Sequence, residues 1–279
     1  METFHLSAEL LKRFESKQHH ADAAVYWALQ DTQFANSLNA YFTSDAGLRK
    51  PLARPPQQAF ERLDCLFQPK ELDLLEQFAS SSAGMPAIQH LGGKFHTNTA
   101  GEDWHLAQER PEASPWDNIL LTLSYIFSNP SKFHRLELNT IVSLHALLFD
   151  GSEIAGQLRT QAQPLPYTAY NAPETLPEIH AALLALIDLV NRQESPFNRA
   201  IAIAVGIGFV QPFQDGNKRV AAMLCNAILI AHRKRPISQE AIPPKWLLKS
   251  FVYFYERQDP AFAKYLFLRG YLDGGSDML

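Results

Sequence analysis

The segment Ala200-Ile-Ala-Ile-Ala-Val-Gly-Ile-Gly208 constrains this chain most, because it has no polar side chain to turn toward water and no alternation to mark a strand. A helix that is apolar all round has to be wrapped by other elements. Ser195-Pro196 opens it, with serine as the cap and proline in the first turn, where its missing N–H costs nothing. A central buried helix over residues 198 to 209 is therefore predicted, and its small residues call for close neighbours.

Elsewhere apolar residues recur mostly at three- and four-residue intervals, and strict alternation is scarce, so the chain reads as all-α. Helices are expected over residues 7 to 16, 22 to 42, 60 to 79, 119 to 127 and 132 to 149, the last with Leu136, Ile141, Leu144 and Leu148 on one side. Thr175-Leu-Pro-Glu178 has the form of a capping box, and the stripe Ile179, Leu183, Leu186, Ile187 and Val190 follows it. Two more helices are expected over 245 to 257 and 260 to 270, the second opened by Asp259-Pro260. The prolines of Lys50-Pro-Leu-Ala-Arg-Pro-Pro56 make that stretch a connector, and residues 80 to 109 lose periodicity and read as a long exposed loop. The expected organisation is an N-terminal helical extension and loop (1–110), a compact core (111–235) and C-terminal helices (236–279).

At 279 residues and 46% hydrophobic content the chain can bury a sizeable core. A net charge of -4, spread along the chain, gives no case for a nucleic-acid binder. No apolar run approaches the ~20 residues of a membrane span, and charged residues break up the first thirty, so a cytoplasmic protein without membrane or nucleic-acid partners is expected. Cys65 and Cys225 have neither disulfide nor zinc spacing and read as buried thiols. His19, His20, His90, His96 and His105 lack metal-ligand spacing and read as solvated, His145 reads as a packed histidine, and the HRKR run at 232 to 235 reads as a solvated helix end.

The most informative polar segment is Phe209-Val-Gln-Pro-Phe-Gln-Asp-Gly-Asn-Lys-Arg219, set between two apolar helices. Its last residues fall where the next helix begins. Free backbone N–H groups, the positive end of the helix dipole, Lys218 and Arg219 together make an anion site, with Gly216 letting an anion approach the backbone. Asp215 beside it suits the magnesium ion that accompanies polyphosphates. The same residues also satisfy the plainer reading of a turn followed by a helix with a basic first turn.

Two blocks carry a resemblance. Gln211-Pro-Phe213-Gln-Asp215-Gly216-Asn217-Lys218-Arg219 is similar to the Fic/Doc motif His-x-Phe-x-Asp/Glu-Gly-Asn-Gly-Arg-x-x-Arg, and Ala155-Gly156-Gln-Leu-Arg159 after the helix containing His145 is similar to the family's upstream block. The resemblance covers residues 115 to 232. It implies a Fic-type helical bundle with a small β-hairpin flap at Thr160 to Tyr170, where Thr160, Gln161, Ala162 and Gln163 would dock a segment of a target protein. It further implies a nucleotide such as ATP with Mg²⁺, Asp215 as metal ligand, and Gly216, Asn217, Lys218 and Arg219 as phosphate ligands.

Gln211 stands at the position of the family's catalytic histidine, where a carboxamide can orient a hydroxyl but has no pKa to serve as a base. Ala222 stands at the second arginine, and Lys218 follows the Doc pattern. No Ser/Thr-x-x-x-Glu-Gly/Asn segment, by which many Fic proteins inhibit themselves, is present. Two functions follow from the resemblance. One is a divergent transferase that moves AMP or another phosphate-containing group to a protein hydroxyl, and the other is a catalytically silent protein that binds nucleotide or a partner peptide. Homodimerisation is compatible with both.

Overall fold

The structure is a computed structural model and describes residues 32–42, 51, 56–81, 115–165, 167–237, 242 and 244–273. The helix expected at 7 to 16, the first part of that at 22 to 42 and nearly all of the 80 to 109 loop lie outside the described residues. The helices run in the order α1 (32–42), α2 (Pro56–Glu61), α3 (Pro69–Ser81), α4 (Pro115–Ser128), α5 (Leu138–Leu148), α6 (Leu176–Arg192), α7 (Pro196–Val210), α8 (Asn217–Ala231), α9 (Pro244–Arg257) and α10 (Ala261–Asp273). Among the described residues no strand forms, and a single antiparallel bridge joins Leu158 to Phe213.

The central helix is α7, as its composition predicts. Ser195 caps it by accepting from the N–H groups of Phe197 and Asn198, and every residue from Phe197 to Val210 is buried except Ala204, which is partly so. It packs against α6 and α8, with α9 and α10 also touching it. The close approach to α6 depends on Gly206, where an added Cβ would fall 2.3 Å from the Leu186 Cδ1. The capping box of α6 forms as expected, with Thr175 and Glu178 each receiving the other's backbone N–H, and all five stripe residues are buried.

Residues 132 to 149 are not one helix. A 3-10 turn at Pro130–Phe133 is separated from α5 because the Asn191 side chain binds both the N–H and the carbonyl of Leu136 at 2.8 Å, taking that backbone out of the helical ladder. The N-terminal helices join the C-terminal ones directly. Phe34 of α1 stacks on Tyr265 of α10 at 4.6 Å, and Glu71 of α3 forms a 2.6 Å ion pair with Lys264 of α10. Both charged side chains of that pair are nearly buried, so neither tolerates loss of the other.

Two smaller expectations are corrected. Cys65 is exposed and only Cys225 is buried, because Cys65 lies in the turn after α2 with positive φ. The HRKR run is not uniformly solvated. The His232 ring nitrogen accepts from the Arg199 guanidinium at 2.9 Å, Lys234 pairs with Glu76, and Arg235 is buried against the Tyr271 ring.

Candidate functional site

A cleft of about 780 Å³ opens where the end of α5, the segment after Gly156 and the start of α8 meet. Its walls include Phe149, Asp150, Gln157, Arg159, Thr160, Gln161, Ala162, Gln163, Gln214, Asp215 and Arg219, and Asn118 of α4 closes one side. Two sequence-distant stretches are thus brought to one place, Thr160 to Gln163 and Asp215 to Arg219.

The loop from Gln211 to Gly216 is shaped by two residues in the left-handed region. Gln211 ends α7 at φ 49° and ψ 56°, and Gly216 begins α8 at φ 78°. Glycine is needed at the second position for a further reason, since an added Cβ would lie 2.2 Å from the Phe149 ring. That face of Gly216 is covered by Phe149 rather than open to a ligand, and its N–H is given to the Asp215 carboxylate.

Asn217 is buried and spends its amide on the loop. Its Oδ1 accepts from the Phe213 N–H at 2.9 Å, and its Nδ2 donates to the Phe213 carbonyl at 2.8 Å. Lys218 is exposed and is not part of the cleft wall. Asp215 and Arg219 do face the cleft, joined by a 2.8 Å ion pair, and the Arg219 guanidinium lies 4.4 Å from the centre of the Phe149 ring.

The amide of Gln211 turns away from the cleft. It is buried, and its Nε2 donates to the Gly208 carbonyl at 2.6 Å and to the Tyr255 hydroxyl at 3.3 Å. Burial pushes the Tyr255 pKa well above its ordinary value, so that hydroxyl stays neutral. Together these place the side chain at the base position within the core between α7 and α9.

No hairpin forms over Thr160 to Tyr170 among the described residues. Pro164-Leu165-Pro166 lacks an N–H at two of three positions, which removes ladder donors from one arm. The segment is held instead by the Arg159 N–H, which donates to Pro212 at 3.0 Å, and by Gln163, whose Nε2 donates to the Gln214 carbonyl at 2.7 Å. Arg159 is a scaffold group. Its buried guanidinium donates to the carbonyls of Gln211 (2.6 Å), Gln161 (2.7 Å), Pro173 and Val210 (3.5 Å), and burial lowers its pKa. The sequence carried no signal that one arginine would gather carbonyls from three separate stretches.

His145 ties the two cleft walls together. It is fully buried, stacked on Phe213 at 3.8 Å and on Phe149 at 4.6 Å. Its Nδ1 accepts from the Gly156 N–H at 3.0 Å, which leaves Nε2 to donate to the Asp215 carbonyl at 3.1 Å. This neutral tautomer is the form the fold requires. Burial, reinforced by the nearby Arg219 charge, lowers its pKa from 6.5 to about 4.

Because the folded pKa lies below the unfolded one, the unfolded chain binds the proton first as pH falls. The stabilisation is complete above about pH 6.5 and is lost progressively toward pH 4. Urea unfolding is expected to show a loss of roughly 2–3 kcal/mol from this group between pH 7 and pH 4.5. His232, whose pKa burial also lowers to about 4, adds a smaller share because it is partly exposed and solvent screens it. His145→Asn should flatten the slope, and an unchanged slope would remove His145 as its source.

Comparison with known proteins finds a likeness over part of the chain. Residues 135–229 match the family model described as Fic/DOC family. No curated protein matches the chain. Among solved structures, "Fic-1 (aa134 - 508) from C. elegans" is similar at 14% identity over 94% of this chain and 78% of that one, with a TM-score of 0.49. A Fic domain containing signaling protein from Bacteroides thetaiotaomicron is similar at 16% identity over 78% of this chain and 92% of that one, with a TM-score of 0.46. At such scores the assignment rests on the matched segment. That segment runs from just before α5 into the last turn of α8 and contains the Gly156 turn, the Thr160 to Gln163 wall and the Gln211 to Arg219 loop, so the likeness to the Fic/DOC family falls on the cleft.

Proposed function

We propose that this chain is a divergent Fic-type protein that binds a phosphate-bearing ligand such as a nucleotide, with a divalent cation, and acts through occupancy of the cleft rather than by rapid group transfer. The observation that carries this reading is the direction of Gln211. In the family, AMP moves from ATP to a protein hydroxyl, and the side chain at this position takes the hydroxyl proton. Here it is a carboxamide without a pKa near neutrality, buried against Gly208 and Tyr255. Loss of such general-base help alone costs about 10²- to 10⁴-fold in rate.

The rest of the site fits a ligand. Asp215 presents a carboxylate on the cleft wall, and magnesium is ordinarily held by one or two carboxylates together with phosphate oxygens and water. Among the described residues no group of three His, Cys, Asp or Glu gathers to hold an ion unaided, which suits a cation that arrives with phosphate. Arg219, on the cleft wall near the positive end of α8, would hold that phosphate, and the cation would supply charge neutralisation. Thr160 to Gln163, in the same cleft, would meet a target segment by backbone pairing.

A slow transferase is the second reading, favoured by the presence of Thr160 to Gln163 in the same cleft wall as the Asp215–Arg219 pair. Calorimetry with ATP and ADP in the presence of Mg²⁺, joined to mass spectrometry of lysate incubations, separates the two. Wild type is expected to bind nucleotide without forming an adduct. Gln211→His is expected to bind within a few-fold of wild type and still form none, since a side chain at 211 follows the same inward path. Adduct formation by Gln211→His would establish the transferase reading, with the base as its lesion. Absence of nucleotide binding in both proteins would remove the ligand-binding reading.

A further inference from the structure

We propose that the cleft accepts phosphate only as its divalent-cation complex, because Asp215 and Arg219 neutralise each other on the cleft wall and are parted only when a cation and an anion arrive together. The inference rests on the ligand-binding reading above and concerns how that site is gated.

The pair is built to persist. Its 2.8 Å contact is about four-fifths shielded from solvent on both sides, with 20% and 21% of the side chains exposed. Asp215 is held at two further points, its carboxylate accepting the Gly216 N–H and its carbonyl accepting from His145. Arg219 lies flat over Phe149, which is itself packed under Gly216 and against His145.

The carboxylate therefore already sits where an incoming anion would sit, beside a guanidinium and the positive end of α8. A free phosphate would have to displace it, bringing two like charges together in a partly desolvated place. Asp150, on the same wall, adds a further negative charge. The other cation of the wall, Arg159, has its donors spent on four backbone carbonyls, and Lys218 lies outside. A lone divalent cation meets the mirror problem. Taking Asp215 leaves Arg219 unpaired beside two positive charges. When both arrive, the cation takes Asp215 and the phosphate takes Arg219, so every charge is paired again. Binding of the two is thus strongly synergistic.

The predicted signs under mutation are unusual for a metal ligand. Calorimetry of the full chain with inorganic pyrophosphate, with and without Mg²⁺, reads them directly. In wild type Mg²⁺ should tighten pyrophosphate binding by about tenfold or more, the scale of one charge-assisted hydrogen bond. Asp215→Asn keeps an oxygen for the Gly216 N–H while releasing Arg219. It should bind metal-free pyrophosphate about tenfold tighter than wild type, with no further gain from Mg²⁺. Arg219→Gln should lose pyrophosphate under both conditions yet bind Mg²⁺ alone more tightly. If Asp215→Asn binds free pyrophosphate no better than wild type, or if wild type binds it equally with and without Mg²⁺, the gating is overturned while the ligand-binding reading stands. If wild type binds neither pyrophosphate nor ATP under any of these conditions, the ligand-binding reading falls and the gating with it.

Discussion

Methionine in place of Arg159 is expected to lower the unfolding free energy by about 3–5 kcal/mol, the range seen when one member of a buried charged network is removed. Arg159 is 5% exposed, and its guanidinium serves carbonyls at the end of α7 (Val210 and Gln211), in the wall segment (Gln161) and before α6 (Pro173). Methionine fills similar volume but donates nothing, so the buried Gln211 carbonyl is left without a donor at about 1–3 kcal/mol, and the half-buried Pro173 carbonyl loses its donor as well. Water replaces the lost partner at Gln161 more cheaply, because that residue is exposed. The melting temperature should fall by roughly 5–10 °C. Arg159→Lys should recover only part of this, since one ammonium cannot span the same fork of acceptors. A loss below about 1 kcal/mol for the methionine variant would show that the carbonyls find other donors and that Arg159 is not the scaffold group.

Alanine at Gly216 is the second substitution with a large expected effect, about 2–4 kcal/mol from two separable causes. The φ of 78° costs a side-chain-bearing residue roughly 1 kcal/mol. The new Cβ must also clear the Phe149 ring, whose nearest atom would stand 2.2 Å away, and overpacking of this kind costs about 1–3 kcal/mol. Phe149 cannot easily retreat, because it is stacked against His145 and carries Arg219 on its face. A double-mutant cycle separates the causes. Phe149→Leu in the Gly216→Ala background should relieve the steric part and leave the backbone part. Equal destabilisation in both backgrounds would mean that the ring does not oppose the Cβ.

Much of this architecture was legible in the sequence because it follows from local rules. The all-apolar run of α7, the Thr175 to Glu178 capping box and the Ser195-Pro196 start need no tertiary information. The Gln211 to Arg219 loop was legible for a similar reason, since polar residues between two apolar helices have few other places to be. What was not legible depends on partners far apart in the chain. Asn191 breaks the helix expected over 132 to 149 from 55 positions away. That no hairpin forms over Thr160 to Tyr170 among the described residues reflects Arg159 and Gln163 reaching to other stretches. The inward turn of Gln211 depends on a hydroxyl on α9, and side-chain direction at a left-handed cap is not encoded by spacing.

The distribution of labour within the loop bears on how such a motif would drift over generations. Phe213 stacks on His145, Gly216 accommodates Phe149, and Asn217 satisfies the Phe213 backbone. Each of these contacts holds the protein together whether or not anything is bound. Selection for a folded chain would therefore preserve Phe213, Gly216 and Asn217 whether or not the cleft is used. A recognisable motif in this setting records in part what the polypeptide needs in order to fold.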